Sequence, residues 1–270
     1  VCSSDLAGQK EPVIDMPTRF VDFMRVLVPM AGDDTTPEGE QVNIYGNHVG
    51  SWNFAATAYL NQWKVKIYYE HYFDDHSQMF FQYGRWKDGH IGLEITFPKN
   101  RFIDTFVYEG LGTKDQTGPM LYDSFWGEFE EQISAKDNYY NHYLYQGWQH
   151  WGMGIGNPLL PGPIYNKNGQ ITFISNRVLA HHIGFCGSPC QSLSYRMLLS
   201  YSRHWGTYDN PLNEIKKQFN SLFEVTYAPQ QLKGWSFTVS GAMDRGSMLG
   251  NNYGGMLVIR KQGIIKSGNK

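Results

Sequence analysis

The sequence predicts an all-β protein: an antiparallel transmembrane β-barrel, represented by about a dozen strands of a larger barrel, with one short N-terminal helix. Three observations carry this. Residue types alternate with period two over long stretches, which in an extended chain sorts them onto opposite faces. Several alternating runs reach about 10 residues, enough to cross an outer membrane when tilted, whereas soluble strands run mostly to about 5–6. Aromatic residues gather near the ends of these runs, at Trp52, Trp63, Tyr72, Phe73, Trp205, Tyr227 and Trp235, where a membrane interface favours amphipathic rings. A soluble β-sandwich with aromatic strand ends is the competing reading.

Composition narrows the classes further. Aromatics make up 16% of the 270 residues and charged residues 18%, the latter below the usual share of about 25%. The net charge of -2 points to neither nucleic acid nor a polybasic membrane patch. No apolar run approaches the roughly 18 residues of a membrane-spanning helix.

The opening VCSSDL reads as a translated sequencing-adapter tail, so residues 1–6 are expected to be artefact. No secretory signal peptide is visible, an absence without weight given such a start. Residues 7–40 read as a linker with a short helix at about 17–28, and 41–270 as the C-terminal portion of a barrel. Asp15 is the expected cap, and Pro17 suits the first turn. Phe20, Phe23, Met24 and Leu27 recur at helical spacing before Pro29 and Gly32 end the run.

Strands follow. SWNFAATAYL places Trp52, Phe54, Ala56, Ala58 and Leu60 on one face. QWKVKIYYEHYF opposes Trp63, Val65, Ile67 and Tyr69 to Lys64, Lys66, Tyr68 and Glu70. HIGLEITF, SLSYRMLLSYSRHW, LFEVTYA and GWSFTVSGAMDRG repeat the pattern. Turn residues separate them at 98–100, 168–170 and 229–234, while 111–138, 203–219 and DRGSMLGNN (244–252) read as loops. The polar faces mix small residues with isolated charges, as a crowded wet lumen would. No βα alternation is present, which disfavours a parallel sheet.

A run of motifs resembles the capsule assembly Wzi family, in the branch common among Bacteroidetes. It comprises GNHVGSWNF (46–54), YEHYFDDHSQMFF (69–81), DGHIGLEITFPKNRF (88–102), TKDQTGPM (113–120), SAKDNYYNHYLYQGWQHWGMGIGNPL (134–159), NRVLAHHIGFCG (176–187), YSRHWGTYDNPL (201–212) and DRGSMLGNNYGGMLVIRK (244–261). The resemblance implies an outer-membrane β-barrel, about 18 strands in the better-studied branch, that attaches or assembles capsular polysaccharide in a lectin-like, non-catalytic way. Family members are longer, so this chain would be the C-terminal part. Individual sugar-binding residues do not carry over to this divergent branch. The chain also ends GIIKSGNK, without the terminal aromatic that closes many outer-membrane barrels.

Sugar faces stack on rings that bury much area with few rotors. The glycan-binding candidates are therefore Trp148, Trp151, Tyr143, Tyr145 and His150 in one aromatic-rich stretch, with Trp205, Tyr208 and Asp209 in a second. The first stretch reads as a strand crossing an aromatic girdle and leaving the membrane at Gly152–Pro158, with Trp148 and Trp151 on opposite faces. Girdle or lumen packing is the alternative role for these rings.

No HExxH or GxSxG motif is present, and an HH pair in a strand (His181, His182) splits to opposite faces. No catalytic residue, metal or cofactor is expected. Glu70, Asp74 and Asp75 supply carboxylates for glycoside hydrolysis or calcium, or simply solvate a loop tip. Cys186 and Cys190 form either a small disulfide loop or two thiols. Expected partners are capsular polysaccharide or another surface glycan and outer-membrane lipid, at the cell outer membrane. A porin-like channel and a glycan-active enzyme are the alternatives. A channel requires an open lumen; a lectin allows one plugged by an inward loop or by the 17–28 helix; an enzyme requires converging carboxylates about 5–9.5 Å apart.

Overall fold

The computed structural model describes residues 17–28, 30–36, 41, 45–46, 48–73, 88–100, 102–116, 121–123, 132–134, 138–142 and 147–263. Among the described residues, the α-helix α1 (Phe20–Leu27) precedes thirteen strands. These are β1 (Gly50–Leu60), β2 (Trp63–Phe73), β3 (Gly89–Thr96), β4 (Thr105–Gly112), β5 (Leu121–Asp123), β6 (Gln132–Ser134), β7 (Gln149–His150), β8 (Met153–Gly154), β9 (Val178–Cys190), β10 (Leu193–Gly206), β11 (Pro211–Tyr227), β12 (Trp235–Gly246) and β13 (Asn252–Lys261).

The helix is shorter than 17–28 and is not capped from Asp15, which lies outside the described residues. Arg19 occupies the cap position, and its N–H donates to the Asp22 carboxylate at 2.9 Å. Asp22 is buried beneath Arg19 and Arg25, at 3.0 and 3.4 Å, and Asp33 bridges the same two arginines at 2.9 and 2.7 Å. The apolar side of the helix stays open, with Phe20 78% and Leu27 62% exposed. A helix plugging the sheet would bury those side chains.

Nine strands form one antiparallel sheet in the order β1-β2-β3-β4-β9-β10-β11-β12-β13, and β5–β6 and β7–β8 are separate small pairs. The sheet is an open meander among the described residues, with β1 and β13 at its edges. One end carries short connections at 61–62, 97–104, 191–192 and 228–234; the other carries 74–88, 113–177, 207–210 and 247–251. All three predicted loops contain strand: 111–112 end β4, and β5 and β6 lie within 113–138. Residues 203–206 end β10 and 211–219 begin β11, and only 207–210 turn between them. Likewise 244–246 end β12, and the loop is confined to 247–251. Polar residues mislead here because one face of every long strand is polar.

Register sorts the side chains, since residues paired across antiparallel strands share a face. One face is apolar along the whole sheet: Ala56 meets Ile67, Ile67 meets Leu93, Leu93 meets Tyr108, and Tyr108 meets Ile183. Ile183 continues to Leu199, and farther along Val225 meets Val239 and Val239 meets Leu257. Aliphatic residues make up most of its middle, with Tyr69, Tyr108 and Phe223 among them. Rings mark its ends, with Trp63 against Phe97 (centroids 5.0 Å apart) and Trp235 on Phe237 at the short-turn end. Trp52 and Phe73 meet at the other.

Ile67 is 54%, Val239 61% and Leu257 65% exposed on this face. Nothing among the described residues covers it. The hydrophobic core lies elsewhere: Tyr140, Leu160, Phe173, Val178 and Ala180 cluster on the opposite, polar face, under the long segment between β4 and β9.

The polar face is a network. Tyr68 on β2 crosses Gly92 on β3 to donate to Glu109 on β4. A methyl at Gly92 would sit 2.0 Å from the Tyr68 ring, so only glycine leaves that path open. His90 stands between Glu70 and Glu109, at 3.6 and 3.5 Å. His182 meets Ser200 Oγ at 2.6 Å on this face, while its neighbour His181 meets Tyr108 on the apolar one.

Cys186 and Cys190 are free thiols. Both lie in extended β9, where four residues span about 13 Å, far beyond the roughly 4.4–6.8 Å between Cα atoms that a disulfide bridges.

Candidate functional site

Residues 113–177 leave β4 and return to β9. Their described portion folds back over the polar face at the long-loop end. The floor is Leu111 on β4 with Val178 and Ala180 on β9, against which Tyr140, Leu159, Leu160 and Phe173 pack. A segment this long requires its own anchors, and polar side chains supply them by satisfying backbone groups.

Asp88, immediately before β3, is buried and takes three donors: the N–H groups of Asp115 (2.9 Å) and Gln116, and the Tyr139 hydroxyl (3.0 Å). Burial raises the Asp88 pKa above the usual carboxylate range, and the three donors oppose that rise. Asn176 is the second anchor. Its Nδ2 donates to Tyr139 O at 2.9 Å and to Asn138 Oδ1, and its carbonyl accepts from Thr113 Oγ1 (2.6 Å) and Gln116 Nε2 (3.3 Å). Asn141 and Phe173 exchange two hydrogen bonds, both of 2.8 Å. His142 sits in the same cap, where burial, with a smaller contribution from His48, lowers its pKa to about 4.

The described residues of the stretch 137–159, 138–142 and 147–159, do not form a membrane-crossing strand. Its regular backbone is the short β7–β8 pair. Tyr140, Trp148 and Trp151 hold positive φ values of 73°, 54° and 52°, a backbone conformation rare for bulky side chains. Left-handed turns take these residues off any continuous ladder, so strand parity does not govern the two tryptophans. Trp148 is half-buried and stacks on Tyr140, whose ring also meets Phe173 edge-on at 5.0 Å. Trp151 turns outward at the β7–β8 tip, 83% exposed, with the exposed His150 ring edge-on at 6.1 Å. Tyr143 and Tyr145 lie outside the described residues, as do Asp74 and Asp75.

Trp205, Tyr208 and Asp209 are brought together at the β10–β11 turn, where they join that turn to the cap. The Trp205 ring takes Lys114 Nζ at 4.9 Å and the Arg203 guanidinium at 5.3 Å. The Arg177 guanidinium lies 3.7 Å from the Tyr208 ring centre. The Tyr208 hydroxyl donates to Lys114 O at 3.3 Å, and Asp209 accepts from Asn138 Nδ2 at 3.2 Å.

The two aromatic stretches thus contribute separate groups: an outward Trp151–His150 pair and a cation-flanked Trp205–Tyr208 pair. Sequence reasoning did not name Asp88, Asn176, Lys114, Arg177 or Arg203 as site residues, although each lies within a motif that it singled out. Among the described residues, no cluster of three or more metal-ligating side chains is present. No protein-family model, curated protein or solved structure matches the chain.

Proposed function

We propose that the nine-stranded sheet is part of the wall of an outer-membrane β-barrel whose long-loop end binds a surface glycan of the capsular kind, without catalysing a reaction on it. The observation carrying this reading is the exposed apolar face that runs unbroken across nine strands, banded by rings at its ends and opposed by a polar face. In water such a face must be covered; in a bilayer it meets acyl chains. Among the described residues the outer edges of β1 and β13 have no strand partner, which fits the same reading, because a sheet in lipid must close and further strands beside these edges would close it.

Two observations favour glycan binding over an open channel. The cap anchored by Asp88 and Asn176 covers the polar face at one end, and Trp151 with His150 presents an uncovered ring beside a polar partner. Stacking of a sugar on such a ring and hydrogen bonds from neighbouring polar groups would supply affinity. The motif resemblance to capsule assembly proteins adds the class of glycan.

Capsule pull-down and glycan-array binding by the chain in detergent, alongside Trp151→Ala, test the reading. Binding by the parent chain and a loss of about tenfold or more in the variant are expected, as for a central aromatic contact. No binding by the parent chain refutes the glycan reading. Release of the folded chain from membranes by alkaline carbonate refutes the barrel reading.

A further inference from the structure

The two faces of the sheet are charged differently. The carboxylates in the regular ladder, Glu70, Glu94, Glu109, Glu224 and Asp244, all register on the polar face. There Lys64 lies 3.5 Å from Glu94, and Arg196 lies 3.4 Å from Glu224. The apolar face carries no carboxylate in that ladder. At the long-loop end of this same face, just beyond the apolar middle, five adjacent chain segments contribute one cation each.

Lys114 follows β4 and Arg177 precedes β9. Arg203 on β10 faces Lys217 on β11, and Arg245 on β12 faces Phe219, the next residue on that side of β11. Rings and a carbonyl hold the first three in place: Lys114 and Arg203 at Trp205, and Arg177 at Tyr208, with Arg177 Nε donating to Lys114 O at 3.2 Å. Ring contacts position a cation without neutralising it. None of the five pairs with a carboxylate among the described residues.

Crossing from β9 to β12, the row steps toward the short-turn end by about one residue per strand, the slope expected of a level ring on strands tilted about 35–45°. The aromatic row Phe185, Tyr195, Tyr227 and Trp235 at the opposite end steps in the same direction, by two residues per strand. Mutual repulsion along the row calls for anions at this height, and its place on the apolar face puts those anions at a lipid surface.

We propose that this row binds the phosphate groups of a phosphorylated lipid headgroup in the leaflet at the long-loop end. The proposal rests on the membrane reading above. The test folds the full chain into neutral phosphatidylcholine vesicles with or without a diphosphorylated glucosamine-based lipid, extracts it in mild detergent, and measures retained lipid by native mass spectrometry. The parent chain is expected to keep the phosphorylated lipid and release its dephosphorylated form.

The triple variant Arg203→Gln, Lys217→Gln, Arg245→Gln is expected to bind about a hundredfold less, from roughly fivefold per cation, with Lys64→Gln on the polar face unchanged. Lys114→Gln, outside the strands, gives about a fivefold loss and keeps the test informative should the triple variant fail to fold. Equal retention of both lipid forms, or undiminished retention by the variants, overturns the proposal. Full displacement by inorganic phosphate or by a soluble acidic polysaccharide also overturns it, assigning the row to a free anion or a glycan. These outcomes leave the membrane reading standing, whereas failure of the parent chain to insert into neutral vesicles refutes both.

Discussion

Trp148 stacks on Tyr140 with ring centroids 5.8 Å apart and planes within 15° of parallel, and both residues hold left-handed backbone. The pair joins the β7–β8 tip to the buried cluster over β9, whereas Trp151, three residues on, touches little besides His150. Trp148→Ala is therefore expected to destabilise the fold by about 2 kcal/mol, from lost apolar burial and the ring pair. Trp151→Ala should stay within about 0.5 kcal/mol, as for a surface change. Urea titration of both variants checks this; equal losses would place Trp151 in the core.

Asp88 ties 113–116 and Tyr139 to the start of β3. Replacing it with alanine removes the acceptor for two backbone N–H groups and a buried hydroxyl. Unsatisfied buried donors cost about 1–3 kcal/mol each, softened where water enters. Asp88→Ala should open the cap before the sheet, read as faster proteolytic cleavage between residues 138 and 177 with the strand signal in circular dichroism preserved.

Acid should loosen the same cap through His142. Burial keeps its ring neutral down to about 4, against an ordinary value of 6.5. The unfolded chain takes up a proton near 6.5 and the folded chain does not, so the stability is complete above that pH and is lost as pH falls toward 4. The total is about 3 kcal/mol. Hydrogen exchange of the cap from pH 7 to 4 measures it, and His142→Gln should flatten that part of the profile.

Gly162 is the tightest backbone crossing in the cap. A methyl there would lie 2.5 Å from Gly152 O and 2.6 Å from Gly154 N, although its φ of -68° suits alanine. Gly162→Ala isolates the clash from any conformational effect and should cost about 1–3 kcal/mol. Gly241→Ala, whose methyl meets nothing within 4 Å, is the control and should change little. Thermal unfolding of the two variants separates them.

Much of the sheet was legible because its signal is local. Alternation in SWNFAATAYL and SLSYRMLLSYSRHW assigns faces within one strand, with no knowledge of its neighbours, and β1, β2, β10 and β12 follow that pattern. β4 was harder to read, since Gly110 and Gly112 interrupt the apolar side of FVYEGLG. The opening of β11 was hidden in polar residues that pair across the ladder as strand. DNYYNHYLYQGWQHWGMG misled for a different reason: a composition suited to a girdle strand is equally suited to a packed cap, and positive φ at three of its aromatic residues is not written in residue type.

The sequence by itself determined the antiparallel strands, their two chemically distinct faces and the presence of a short amphipathic helix, because periods of two and 3.6 residues are properties of a single segment. Tertiary structure alone decided that Trp148 packs inward while Trp151 turns out, and that the described part of the long segment after β4 covers the polar face at one end. It also decided that Lys114, Arg177, Arg203, Lys217 and Arg245 share one row. Those relations depend on strand register and on contacts between residues far apart in the chain, which no local pattern encodes.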